Sequence, residues 1–311
     1  MSGNGEATRR QALIGAGASL ILPARALAQD SLTNLMPAFW RAYDAASVLE
    51  MEPRARAILD NYFFPHVAFY RGAGLGRVDL ARWLLVFDPI AAQVRGLSDG
   101  FPALWRDHAA RFARALPDFD TATPVHLLVS FLQFDAHARL WQGRLALFIG
   151  LDGVVQFHGP GADLRVLLAH ECFHLYHHQV NPALWGPTGD PLWLGIWREG
   201  LAVHASAVLN PAATLRAVLL GEAALAEADP AVLRRIASEV LPLLEDASPT
   251  LRARFLGYGF RGDIPARSGY FLGMLAAELF STPRDLAVLA RLPASEARAL
   301  VVRALTRLSA P

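Results

Sequence analysis

The sequence predicts a mostly helical α+β fold, and three observations predict it. Apolar residues recur at helical spacing through the first third of the chain and again through the last. Between Pro124 and His158 the pattern changes to short apolar runs bounded by Gly and Asp-Gly turns, the mark of strands. An apolar stretch carrying two histidines, Val166 to Tyr176, follows at once. A small sheet therefore leads into a central helix, with a helical lobe after it.

The first 28 residues stand apart from the fold. Thr8-Arg9-Arg10-Gln11-Ala12-Leu13-Ile14 puts two arginines before a mildly apolar run, and Ala26-Leu27-Ala28 is a small-residue cleavage site. This reads as a twin-arginine export signal, so the chain is expected outside the cytoplasm, periplasmic or secreted. The run of about 12 residues is too short for a bilayer that needs about 20. No stable membrane anchor is expected after cleavage. The mature chain, Gln29–Pro311, loses Glu6, Arg9, Arg10 and Arg25 with the leader, and its net charge goes from +1 to −1. That leaves no electrostatic case for nucleic acid.

Residues 29–123 form a helical N-terminal region. Leu35, Phe39 and Tyr43, then Leu80, Trp83-Leu84 and Phe87, then Leu104-Trp105, Ala109 and Phe112 keep helical spacing. Gly72-Ala73-Gly74-Leu75-Gly76 interrupts them as a turn. No strand leads in and no Lys-Ser/Thr follows, so it is not a phosphate loop.

Residues 124–210 hold the sheet and two helices. The expected strands are Val125–Phe131, Leu145–Gly150 and Val154–Phe157, and Asp163 begins the first helix. That helix contains His170-Glu171-Cys172-Phe173-His174. Positions i and i+4 share a helix face, so His170 and His174 can aim at one metal ion, with Glu171 beside it as a general base for a water. A catalytic zinc needs a third protein ligand. Glu199, in Arg198-Glu199-Gly200-Leu201-Ala202, lies 25 positions after His174. The breakers Asn181-Pro182, Gly186-Pro187 and Gly189-Asp190-Pro191 let a second helix, about Leu194 to Leu209, fold back onto the first.

Residues 211–311 form a helical lobe. Its expected helices are Ala213–Ala228, Pro230–Leu244, Pro249–Phe255, Ser268–Phe280 and Arg284–Leu308. Hydrophobic residues make up 53% of the chain, enough for a large core. All 29 basic residues are Arg, which excludes lysine chemistry. Cys172 is the only cysteine, which excludes an internal disulfide and a Cys-based zinc site; it reads as a small buried hydrophobe.

His170-Glu171-Cys172-Phe173-His174 with Glu199-Gly200-Leu201-Ala202, Ser206 and Leu209-Asn210-Pro211 resembles the gluzincin branch of zinc metallopeptidases. More narrowly, it resembles bacterial predicted zinc-dependent proteases of unassigned function. Arg267-Ser268-Gly269-Tyr270-Phe271-Leu272-Gly273 adds to the likeness, which covers roughly Pro124 to Leu279. It implies a zincin-like fold, Zn2+ as cofactor on His170, His174 and Glu199, and a peptide or protein substrate. It also implies that the strand near Leu147–Gly150 is the edge to which a peptide adds. Tyr270 is the candidate oxyanion donor and His204 the alternative. The metal histidines are expected to donate their far N–H groups to further acceptors, and His177 and His178 to be solvent-side or packing residues. A zinc amidase acting on cell-wall peptides, a non-catalytic binding protein of the same fold and a metal-free helical interaction protein stay open. The metzincin pattern fails, since it needs Gly and His where His177 and Val180 stand.

Overall fold

The computed structural model describes residues 31–159, 163–186, 189–279 and 285–310; the leader read at residues 1–28 lies outside them. The fold is mostly helical α+β with one four-stranded mixed sheet. A short strand, β1 (Leu32–Asn34), opens it. Helices α1 (Met36–Ala45), α2 (Met51–Ile58), α3 (Val67–Gly72), α4 (Leu80–Phe87) and α5 (Ala91–Ala115) follow. Phe39 of α1 centres an aromatic cluster: its ring packs edge-on against Trp83 and Phe87 of α4 and against Tyr62, which lies between α2 and α3.

The sheet is built from β1, β2 (Val125–Leu128), β3 (Ala136–Trp141) and β4 (Arg144–Gly150), in the order β1-β2-β4-β3. β2 runs parallel to β1 and β4, with Val125 opposite Leu32 and Leu147; β3 runs antiparallel to β4, with Ala136 opposite Ile149. β2 and most of β4 are buried and, His126 apart, apolar, as strands covered on both faces are.

Three sequence expectations change here. Val154–Phe157 is not a strand but part of helix α6 (Leu151–His158). Four apolar residues in a row fit either element, and tertiary contacts decide. The buried Asp152 carboxylate accepts from Ser130 N at 2.5 Å, Leu132 N at 2.8 Å, Ser130 Oγ at 3.0 Å and Trp83 Nε1 at 3.2 Å. It thereby holds Phe131 and Leu132 in left-handed conformations, φ 54° and 60°, which also ends β2 at Leu128. The third strand is instead Ala136–Trp141. Finally, β4 is interior, so the strand near Leu147–Gly150 is not the edge; β3 is.

Helix α7 (Leu164–Val180) carries both histidines and is buried on nearly every side from Leu164 to His177. The Asp163 carboxylate caps its start by accepting from Arg165 N. At its end Asn181 Nδ2 donates to Ala290 O and Leu292 O. After the loop, α8 (Leu192–Leu209) folds back against α7, and Ser206 Oγ donates to Val166 O at 3.2 Å across the pair. The remaining helices are α9 (Leu215–Val218), α10 (Ala223–Ala226), α11 (Pro230–Val240), α12 (Pro249–Leu256), α13 (Ser268–Glu278), α14 (Leu286–Ala290) and α15 (Ala294–Ser309). The single helices expected over Ala213–Ala228 and Arg284–Leu308 are each two, broken at Gly221 with φ 90° and at Pro293. One apolar core runs from Leu35 to Leu305 through all three regions. Among the described residues no helix is long and apolar enough to cross a membrane.

Candidate metal centre

α7 supplies His170 and His174 one turn apart, and α8 brings Glu199 across to them. His170 Nε2 and His174 Nε2 lie 3.0 Å apart, and Glu199 Oε2 is 3.3 Å from each. A tetrahedral set around a metal at ~2.0–2.1 Å spaces its ligand atoms roughly 3.3–3.4 Å apart. The triangle fits that spacing, and these three residues form a group that could hold a metal ion. Burial drives His170 down to about 4, toward the neutral form that ligates. Burial alone would raise Glu199, but His174 and then His170 more than offset it and hold the carboxylate well below its usual range.

Glu171 sits in the same cleft, buried. Burial first, then the Asp135 and Glu199 charges, push its carboxyl well above the ordinary value, with Arg267 acting the other way. Tyr270, on α13, stacks on the His170 ring at 5.9 Å and 5°. Burial keeps its phenol protonated, and the hydroxyl bonds toward Glu199. The cleft, about 240 Å³, thus gathers all five residues expected from the sequence: His170, Glu171, His174, Glu199 and Tyr270. His204 is buried and does not line it.

The opposite wall is the edge strand. Gly150 N donates to Asp135 O at 2.7 Å, so by antiparallel alternation Ala136 and Ala138 turn their backbone groups away from β4. Both residues line the cleft, and Ala136 N is occupied by Asp135 Oδ1. Asp135 Oδ2 pairs with His158 Nε2 at 2.7 Å, and His158 Nδ1 meets Leu220 O at 2.8 Å. A third wall is Trp185, 5.7 Å from the His174 ring and covered by Arg198, which pairs with Asp190 at 2.8 Å.

Asp135, His158, Trp185 and Arg267 were not expected in the site. Asp135, His158 and Trp185 carry no motif, and Arg267 stood in the quoted stretch without a role. The far nitrogens, His170 Nδ1 and His174 Nδ1, are buried with no hydrogen-bond partner among the described residues, unlike the expectation. His177 packs against Phe173 and Trp185 and stays outside the triangle, as does His178 beside Trp185. Cys172 is fully buried, and burial pushes its thiol up, away from reactivity.

No family model, curated protein or solved structure matches this chain.

Proposed function

We propose that the protein is an exported zinc-dependent peptidase. The observation that carries the reading is the convergence of Glu199 Oε2 on the two imidazole nitrogens at a metal's spacing. Two imidazoles and one carboxylate favour zinc among divalent metals. A zinc ion held there would polarise a carbonyl and lower the pKa of a water to about 7.

The chain's own residues do the rest. An extended peptide lies along β3, where Ala136 O and the N–H and C=O of Ala138 turn away from β4 and both residues line the cleft. Glu171, its proton affinity raised by burial, takes a proton from the attacking water and passes it to the leaving amine. Tyr270, kept a neutral phenol, donates a hydrogen bond to the oxygen on which negative charge develops.

The test is metal analysis of the parent beside Glu199→Ala and His174→Ala, then peptide cleavage with Glu171→Gln as control. About one zinc per chain is expected in the parent, sharply less in the two ligand variants, and cleavage lost in Glu171→Gln with zinc retained. A zinc content indifferent to Glu199→Ala would overturn the reading.

A further inference from the structure

Arg267 lines the metal cleft in a conformation its side chain does not favour. Its φ is 54°, in the left-handed region that residues with a Cβ avoid. It immediately precedes α13, yet its side chain makes no capping hydrogen bond that would offset the strain. Strain of this kind is retained where the surroundings require the residue.

The side chain shows what it is held for. Arg267 is 7% exposed, and its Nε and Nη1 have no hydrogen-bond partner among the described residues. The guanidinium carbon lies 4.7 Å from the Tyr258 ring and 5.4 Å from the Tyr270 ring. Two aromatic faces therefore fix the charge, while its donors stay open. Asp135 and Glu171 feel the charge through space, but neither takes a hydrogen bond from Nε or Nη1. A buried guanidinium with unmet donors is costly until an acceptor completes it.

The geometry points to a substrate carboxylate as that acceptor, which makes Arg267 the residue that selects for an acidic group on the peptide. This rests on the peptidase reading above. A carboxylate fits better than a phosphate dianion, because Asp135, Glu171 and Glu199 line the same cleft and repel extra negative charge. The guanidinium's fork of donors matches the two carboxylate oxygens. Arg267 and His170 both neighbour the Tyr270 ring, the guanidinium carbon at 5.4 Å and the His170 ring at 5.9 Å from its centre, so the two lie no more than about 11 Å apart. The acidic group is thus within about three extended residues of the scissile bond. It is either the peptide's own C-terminal carboxylate or an Asp or Glu side chain.

The experiment measures binding and not turnover. Three peptides of one neutral sequence, a free acid, its C-terminal amide, and the amide with one internal Glu, are titrated into metal-loaded Glu171→Gln protein, with and without Arg267→Asn. Asn tolerates the left-handed backbone, so that variant should keep the parent's melting temperature and metal content. Arg267→Lys, which keeps the charge without the fork, carries the comparison should Asn misfold.

The expected result is that the free acid or the Glu-bearing amide binds about ten- to a hundredfold more tightly than the plain amide, and that Arg267→Asn or Lys removes most of the difference. Which of the two peptides gains identifies the source of the carboxylate. Equal binding of all three peptides, or a preference that survives at Arg267→Asn, overturns the inference. A parent protein that cleaves peptides, beside Glu171→Gln protein that binds them without acid preference, would sink Arg267's role and leave the peptidase reading standing; acid-selective binding beside a parent that cleaves nothing would do the reverse.

Discussion

Gly200 of α8 and Gly273 of α13 touch backbone to backbone. A Cβ on Gly273 would come within 2.8 Å of the Gly200 Cα and closer still to the Ile196 carbonyl oxygen. No other described pair of elements packs as extensively as these two helices. The contact sets Glu199, one residue before Gly200, beside Tyr270, three residues before Gly273. Gly273→Ala should therefore force the helices apart. The expected cost is about 1–3 kcal/mol in urea unfolding, with metal content reduced although no ligand is changed. Unaltered stability and metal content would mean that the crossing has slack.

Tyr270→Phe removes one hydroxyl and no packing volume. On the proposed peptidase reading the lost hydroxyl is a transition-state donor, and kcat should fall about 10²–10³-fold. Metal stoichiometry should stay at the parent value, since the phenol is not in the ligand triangle. A fall in metal content with unchanged kcat per bound metal would reassign Tyr270 to holding Glu199.

Asp152 is the hub of the loop that leads into β3. Asp152→Ala leaves Ser130 N, Leu132 N and Trp83 Nε1 without their acceptor in the interior. Destabilisation of about 3–5 kcal/mol is expected. The midpoint of chemical unfolding measures it, and a loss under 1 kcal/mol would show that the loop is held by other contacts.

His126, on β2, is buried among Phe69, Trp141 and Phe148 with both ring nitrogens unpartnered among the described residues. Burial lowers it from 6.5 to about 4. The unfolded chain thus takes up this proton first as pH falls. Stability from this group is complete above about 6.5 and is lost progressively from there down to about 4. Between pH 7.5 and 5 the parent should lose about 2 kcal/mol more than His126→Phe. Parallel pH profiles for the two proteins would refute the assignment.

What the sequence made legible was local and periodic. His170, Glu171 and His174 share one helix and Glu199 stands on the next, so helical spacing and the Pro and Gly breakers between them were enough. The sheet was legible only in part. Val125–Leu128 and Arg144–Gly150 are apolar runs between turns, whereas Ala136–Trp141 is half exposed and mixed in character, and the three residues of β1 have no pattern of their own. Val154–Phe157 looked like a strand because the Asp152 hub that winds it into a helix draws its donors from Trp83, Ser130 and Leu132, distant in the chain. Arg267 was seen without its strain or its unmet donors, which exist only once α13, Tyr258 and the cleft are assembled.

The order of these parts along the chain has a consequence for synthesis. The His pair and Glu199 emerge from the ribosome well before Arg267, Tyr270 and Gly273. A nascent chain that stops short of α13 has His170, His174 and Glu199, but it has neither the phenol nor the guanidinium, and nothing seats α8 at its glycine. The cleft around the His pair and Glu199 is therefore closed late in synthesis, only once α13 has been made and can pack on α8.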